Sequence, residues 1–372
     1  MLRIAIVGCG KIADQHVAAI RRIPGCEIVA VCDREVLMAG QLGERCGVKG
    51  CYGDLAVMLA ECKPDVVHIT TPPQGHFALA QMCLQAGSHV YLEKPFTITA
   101  GEARQLTDLA GTSGRLITAG HNLQFTLEML EMRRLVKAGF LGGTPSHLES
   151  HFSYGLDDAS YVAPILGSRK HWVRQLPGQL LHNVVSHGIA KLAEFLDDDA
   201  VVLMASAHQS PRLRSLGGAE VLDELRVLIR DGKGTSAFFC FTTQLKPSLN
   251  LLKIYGPSNA LVVDHASGCL IRNRSVTSKS YLTFIVPPLQ ASREYFRNAR
   301  HNLMHILRHR LHQDAGMKEL IARFYDSIRL SQPPPIPYRE ILLTARIMDD
   351  IFAQIYPPAS QPENAPLAAS TK

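Results

Sequence analysis

Residues 8–13 read Gly8-Cys9-Gly10-Lys11-Ile12-Ala13, directly after the apolar run 3–7 and directly before a helix-forming stretch. In a strand–turn–helix setting Gly8 permits a tight turn and Gly10 lets the backbone approach a pyrophosphate closely. Ala13 is small enough for the helix to pack on the strand. The first helical residues, Lys11 and Ile12, bring free N–H groups and the positive end of the helix dipole to the anion. Asp33 closes the next apolar run, 27–33, 20 residues beyond Ala13. A carboxylate there accepts hydrogen bonds from an adenosine ribose. Together these residues predict a dinucleotide site. Asp33 repels a 2′-phosphate and favours NAD; Arg34, able to pair with that phosphate or stack on adenine, keeps NADP as the alternative. Two further clusters, Thr71-Pro72-Pro73-Gln74-Gly75-His76 and Glu93-Lys94-Pro95, follow the apolar runs 65–70 and 88–92. Open α/β sheets place their ligands at such carboxyl ends of parallel strands.

These residues need a scaffold, and the chain supplies one. Runs 3–8, 27–33, 65–70, 88–92 and 115–119 read as strands; 12–22, 35–46, 54–62, 76–86 and 99–112 read as helices between them. Nearly all-apolar strands alternating with helices predict a parallel sheet covered on both faces. After Gly120 the grammar changes. A helix at 125–138 precedes strand-like runs at 144–153, 200–208, 221–230, 235–245, 250–255 and 260–264, interrupted by a helix at 179–196. Short turns such as Asp231-Gly232-Lys233-Gly234 join some of them, as in antiparallel sheets. Helices at 291–313, 316–331 and 339–355 follow, and the stretch from Pro357 is rich in Pro, Ser and Ala. The expected division is a doubly wound Rossmann domain over 1–121, a second domain over 122–356 built on a large, mostly antiparallel open sheet flanked by helices, and a flexible tail over 357–372.

Composition narrows the function classes. The 372 residues are 46% apolar and 19% charged, a globular balance. No apolar run approaches ~18 residues, which argues against a membrane-spanning helix, and no signal-peptide pattern is read at the start. Seven of the nine cysteines lie in the first 83 residues, with no Cys-x-x-Cys pair. They read as reduced, small apolar residues in a cytoplasmic protein, and no metal site is expected. The net charge of +6 arises after residue 120, because residues 1–120 carry 11 basic and 11 acidic side chains. No nucleic-acid-binding motif accompanies it.

On Gly8, Gly10 and Ala13, on Thr71-Pro72 with His76, and on Glu93-Lys94-Pro95, the chain resembles the Gfo/Idh/MocA oxidoreductases. Trp172, Gly178 and the segment around His187 extend the resemblance over about residues 1–350. It implies that Lys94 points at the reacting carbon and steadies the substrate oxygen beside the nicotinamide, with Glu93 holding the lysine and lining the pocket. It further implies that His187 is the general acid/base, four residues after a partner on the same helix face. That partner is Asn183 where aspartate is commoner; asparagine orients a hydroxyl or imidazole but supplies neither charge nor base. Gln124 stands where relatives often carry arginine, which puts an inherited anion contact there in doubt. Asn122, Trp172 and Arg174 are candidate substrate contacts, and His151 and Tyr154 candidates to face the same pocket. His182 is read as facing elsewhere.

The implied function is hydride transfer between NAD(P) and a secondary alcohol or ketone of a sugar, cyclitol or nucleotide sugar, in a homodimer or homotetramer. Two alternatives stay open. One is an NAD-binding partner in glycan assembly without net turnover. The other is a glycosidase- or epimerase-like enzyme whose NAD is reduced and reoxidised within one cycle. In 291–313, Phe296, Leu303, Leu307 and Leu311 fit one helix face, and five arginines accompany one glutamate. That helix is expected to pack on its own domain or a subunit interface. A phosphate, an acidic glycan or a membrane surface is the alternative contact.

Overall fold

The computed structural model describes residues 1–156, 159–217, 220–275, 280–308 and 315–356. The tail 357–372 and the end of the basic stretch, 309–313, lie outside them. The first layer builds β1 (Leu2–Val7), α1 (Lys11–Ile20), β2 (Cys26–Cys32), α2 (Val36–Cys46), β3 (Gly50–Tyr52), α3 (Leu55–Cys62), β4 (Val66–Ile69), α4 (His76–Gln85), β5 (His89–Leu92), α5 (Ala100–Thr112) and β6 (Ile117–Ala119). All neighbouring strands pair in parallel, in the order β3-β2-β1-β4-β5-β6. That order reverses between β1 and β4, so a crevice opens at the carboxyl ends of these two strands. β4 is buried at every position, as a strand covered on both faces requires. Local signals set the helix starts: Asp54 accepts from Val57 N–H at 2.9 Å, and Thr99 from Glu102 N–H at 3.2 Å.

The second layer follows: α6 (Leu127–Lys137), β7 (His147–Ser153), α7 (Ala159–Gly167), α8 (Gln179–Ala193), β8 (Val201–His208), α9 (Pro211–Ser215), β9 (Glu224–Arg230), β10 (Ser236–Thr242), β11 (Asn250–Tyr255), β12 (Asn259–Asp264) and β13 (Cys269–Arg274). Its seven strands run β13-β12-β11-β7-β10-β9-β8, antiparallel except where β7 meets β10. α8 lies on one face so closely that a Cβ on Gly188 would sit 2.2 Å from the Phe239 ring of β10. On the other face Leu203, Met204 and Leu228 are exposed. Three helices close the described chain: α10 (Val286–Leu307), α11 (Ala315–Arg329) and α12 (Tyr338–Ile355).

Two apolar cores result. α11 returns to the first: Met317, Leu320, Ile321, Phe324 and Tyr325 pack with Ile4, Ile6, Val67 and Tyr91 of the parallel sheet. α12 joins both, through Ile341 in the first core and Ile347, Ile351 and Phe352 in the second. The face of α10 carrying Phe296, Leu303 and Leu307 does not pack on its own domain; these side chains are exposed.

Candidate active site

The carboxyl ends of β1, β2 and β4 enclose a cavity of about 650 Å³, lined among others by Gly8, Gly10, Asp33, Arg34, Thr71, Pro72 and Trp172. Gly8 has φ +95°, and a Cβ there would meet Thr71 Cγ2 at 2.7 Å and its backbone N at 2.8 Å. The close approach of the two strand ends therefore requires glycine. Gly10 precedes α1 with no side-chain cap, and nothing lies within 4 Å of the Cβ position. The first N–H groups of α1 are thus left for an anion. Lys11 is exposed and Ile12 packs on the core, so neither side chain lines the cavity; only their backbone groups face an anion at the helix start.

Asp33 is fixed at the rim. Its Oδ2 accepts from Cys9 N–H at 2.8 Å and its Oδ1 from Glu35 N–H at 2.9 Å. Arg34 beside it is exposed. Thr71 Oγ1 is buried without a partner. Open space at Gly10, a clamped carboxylate and an orphan hydroxyl fit a dinucleotide. Trp172 brings the second layer to this cavity, its carbonyl accepting from Gln74 Nε2 at 2.7 Å. It thus lines the nucleotide cavity, whereas Arg174 does not; that residue lies near Tyr356.

His76 is fully buried beneath the cavity. Its Nε2 lies 2.9 Å from the Thr71 carbonyl and its Nδ1 3.0 Å from that of Pro95. The ring sits between the two strand-end loops, donating its one N–H to a carbonyl of either when neutral, and does not line the cavity.

The Glu93-Lys94 turn joins the first layer to the second. Lys94 Nζ donates at 3.1 Å to the carbonyl oxygen of Asn183 in α8. In an α-helix that carbonyl also accepts from the backbone N–H of His187, one turn on. Lys94 is therefore anchored beside the turn that holds His187. Burial lowers the Lys94 pKa, with Glu93 opposing. Burial also pushes His187 well below its ordinary value, and the positive charge of Lys94 adds to this. The imidazole is thus neutral near pH 7, and its buried Nδ1 has no partner. Asn183 is buried, and its backbone makes the described contact with the lysine. His121, at the end of β6, is lowered to about 4 by burial, with Glu93 opposing and Lys94 reinforcing. Asn122 follows it, its buried Oδ1 unpartnered.

Other expected residues lie elsewhere. Gln124 is buried between α8 and α12, donating to the carbonyl of Ala190 and the carboxylate of Glu194 at 3.3 Å. It bonds within the second layer there and does not line the cavity. His151 shares the outer face of β7 with Glu149, 3.0 Å away, whereas Ser150, of opposite parity, bonds the Gly188 carbonyl of α8. Tyr154 has the parity of Ser150. His182 stacks on Phe352 with ring centroids 4.8 Å apart.

A buried series of side chains stands behind Glu93. Its Oε1 is 2.9 Å from His16 Nε2; His16 Nδ1 is 2.8 Å from His68 Nδ1; His68 Nε2 is 2.8 Å from the Tyr325 hydroxyl. One continuous arrangement of donors satisfies it: Tyr325 donates to His68, His68 to His16, and His16 to the carboxylate. Burial raises the Glu93 pKa, but the bond from His16, the charges of His16 and Lys94 and the Lys94 N–H together outweigh it and hold the carboxyl below its usual range. The other Glu93 oxygen accepts from Lys94 N–H at 3.1 Å. Gly120 makes room for this carboxylate, since a Cβ there would lie 2.9 Å from Oε1.

The family model described as an oxidoreductase family with an NAD-binding Rossmann fold (GFO_IDH_MocA) matches residues 2–121. Over these residues the chain is similar to the Gfo/Idh/MocA oxidoreductases and carries their NAD-binding Rossmann fold. Among curated proteins, D-glucoside 3-dehydrogenase of Escherichia coli K12 is 36% identical over 142 residues, 38% of this chain and 40% of that protein. The match thus spans less than half of that relative. D-apiose dehydrogenase of Paraburkholderia graminis is 26% identical over 314 residues, 82% of this chain and 78% of that protein. The solved WlbA dehydrogenase of Bordetella pertussis, in complex with NADH and UDP-GlcNAcA, superposes with a TM-score of 0.74 over 95% of each chain, at 17% identity. At that identity the likeness is one of fold. The matched residues carry an NAD-binding Rossmann fold, and the cavity between β1, β2 and β4 lies within them apart from its Lys170, Trp172 and Gln175 edge.

Proposed function

We propose that this Gfo/Idh/MocA chain is an NAD(P)-dependent dehydrogenase that oxidises a secondary alcohol of a sugar or nucleotide-linked sugar, or reduces the corresponding ketone. The observation that carries the proposal is the bond from Lys94 Nζ to the Asn183 carbonyl, which ties the cofactor domain to the helix turn bearing His187. The sugar class comes from the dehydrogenases of D-glucosides and D-apiose that the chain resembles. When bound, the nicotinamide supplies or accepts the hydride. Lys94 Nζ hydrogen-bonds the substrate oxygen and steadies its growing negative charge. An imidazole nitrogen of His187, neutral near pH 7, takes the hydroxyl proton. Asn183 orients without adding charge, and Trp172 shields the cavity. Asp33, clamped by two N–H groups, favours NAD over NADP.

The domain division is proposed near residue 121, and the exposed outer face of the second sheet is proposed to be covered in a homo-oligomer. Lys94→Ala tests the reaction. Turnover on a panel of sugars and nucleotide sugars, followed by NADH absorbance, falls at least a hundredfold, while cofactor affinity changes only a few-fold. Undiminished turnover removes Lys94 from the reaction. Product formed without any net NADH assigns the chain to internal redox instead.

A further inference from the structure

Helix α10 turns its polar side inward. Glu294 pairs with Arg272 of β13 at 2.8 Å and with Arg297 at 2.7 Å. Asn298 accepts from Leu270 N–H at 3.0 Å and donates to the Leu270 carbonyl at 2.9 Å, and Asn302 donates to the Ser267 carbonyl at 3.0 Å. These side chains cap β13, an edge strand whose outer backbone groups would otherwise lack partners.

The apolar side chains of α10 point the other way. Leu289 is 64% exposed, Phe296 73%, Leu303 54% and Leu307 65%, and Phe284 just before the helix is 81% exposed. At about 100° per residue, the four within the helix fall in an arc of about 40°. Arg293 and Arg300 border that arc on one side, with Arg308 beyond them; all three are exposed. None of the three forms an ion pair among the described residues. The one acid of 281–308, Glu294, is on the buried side. The outward surface is therefore an apolar strip with a purely cationic border.

A second copy fits this strip poorly. An antiparallel pair that sets Phe296 over Ala299 of its mate also sets Arg293 against Arg300. A lipid surface accepts both features at once, the strip among acyl chains and the arginines at phosphates. No helix among the described residues is long and apolar enough to cross a membrane, so α10 would lie in the interface plane. We propose that α10 docks the protein onto an anionic lipid surface, with Leu289, Phe296, Leu303 and Leu307 entering the headgroup boundary and Arg293, Arg300 and Arg308 meeting lipid phosphates. The proposal does not depend on which reaction the active site performs.

The test is co-sedimentation of the full chain with phosphatidylcholine vesicles carrying about 30% phosphatidylglycerol, against pure phosphatidylcholine. Binding to the anionic vesicles is expected, weakening as salt rises. The triple substitution Arg293→Gln, Arg300→Gln, Arg308→Gln should lower the partition roughly a hundredfold, at about fivefold per arginine. Phe296→Ser with Leu303→Ser should lower it at least tenfold. NADH binding by each variant shows that it is folded. No preference for the anionic vesicles, or unchanged binding by the folded variants, overturns the proposal. So does a dimer that Phe296→Ser with Leu303→Ser turns into a monomer while the wild type ignores vesicles.

Discussion

Gly8 and Gly10 sit two residues apart, yet alanine should act on them in opposite ways. At Gly8 the added Cβ meets Thr71 Cγ2 at 2.7 Å, Thr71 N at 2.8 Å and Thr70 C at 2.9 Å, at φ +95°. Two of these contacts are backbone, so the end of β4 must move. Left-handed strain of about 1–2 kcal/mol and overpacking of about 1–3 kcal/mol make Gly8→Ala cost roughly 2–5 kcal/mol. Gly10 has φ −79° and ψ −172°, extended backbone open to any residue, and no atom within 4 Å of its Cβ position. Gly10→Ala should therefore leave the free protein unharmed, or stabilise it by about 0.4–1 kcal/mol through the unfolded chain. The same methyl occupies the space over the uncapped start of α1. If the cofactor's pyrophosphate lies there, overpacking of about 1–3 kcal/mol weakens binding roughly 5- to 150-fold. Thermal unfolding of both variants without cofactor, paired with fluorescence titration by NADH, separates the effects. Wild-type affinity in Gly10→Ala would refute the placement of the anion. A cofactor-free Gly10→Ala protein as unstable as Gly8→Ala would refute the geometric argument.

Two other perturbations follow from buried polar groups. Burial, with the charge of Glu194, raises the Glu340 pKa to about 7. A folded pKa above the unfolded value contributes stability below about pH 4.5 that is lost as pH rises through about 7. Glu340→Gln should remove that dependence and be the more stable protein at pH 8 by on the order of 2–3 kcal/mol. Denaturant unfolding at pH 5 and pH 8 measures it, and parallel curves for the two proteins would sink the idea. His68→Leu strands His16 Nδ1 and the Tyr325 hydroxyl, each bonded to His68 at 2.8 Å. At about 1–3 kcal/mol per stranded buried group, a loss of roughly 2–5 kcal/mol is expected. Turnover should fall too as Glu93 loses the ordered His16 behind it; full activity in a folded His68→Leu protein would make the series purely structural.

Much of the geometry of the candidate cofactor site was legible because its constraints are local. Gly8, Gly10, Ala13 and Asp33 are dictated by one turn and the strand after it, so residue type and spacing record the geometry. The parallel sheet was equally plain from its apolar strands. Two strands escaped: β3 has only three residues, and β13, Cys-Leu-Ile-Arg-Asn-Arg, turns polar halfway because α10 covers it with polar groups. α7 carries Pro164, which speaks against a helix interior. The series behind Glu93 could not be read, since His68 and Tyr325 are 257 residues apart. Its one trace was a histidine inside the otherwise apolar run Val66-Val67-His68-Ile69, a polar group that a strand buried on both faces must pair.

The same reasoning explains why α10 was half read. Periodicity separates the Phe296–Leu303–Leu307 face from the face of Glu294 and Asn298, but it carries no sign: it cannot say which face turns inward. Apolar-inward is the ordinary outcome because burial of a leucine gains about 1.5–3 kcal/mol. Here the neighbour is the edge strand β13, whose free backbone groups hydrogen-bond Asn298 and whose Arg272 pairs with Glu294. A polar face meets those needs and an apolar one cannot. The edge of the second sheet thus decides the orientation of α10, and an apolar strip on the surface is the consequence. That strip is a feature of the tertiary fold rather than of the helix, and so a helix-by-helix reading of the chain cannot find it.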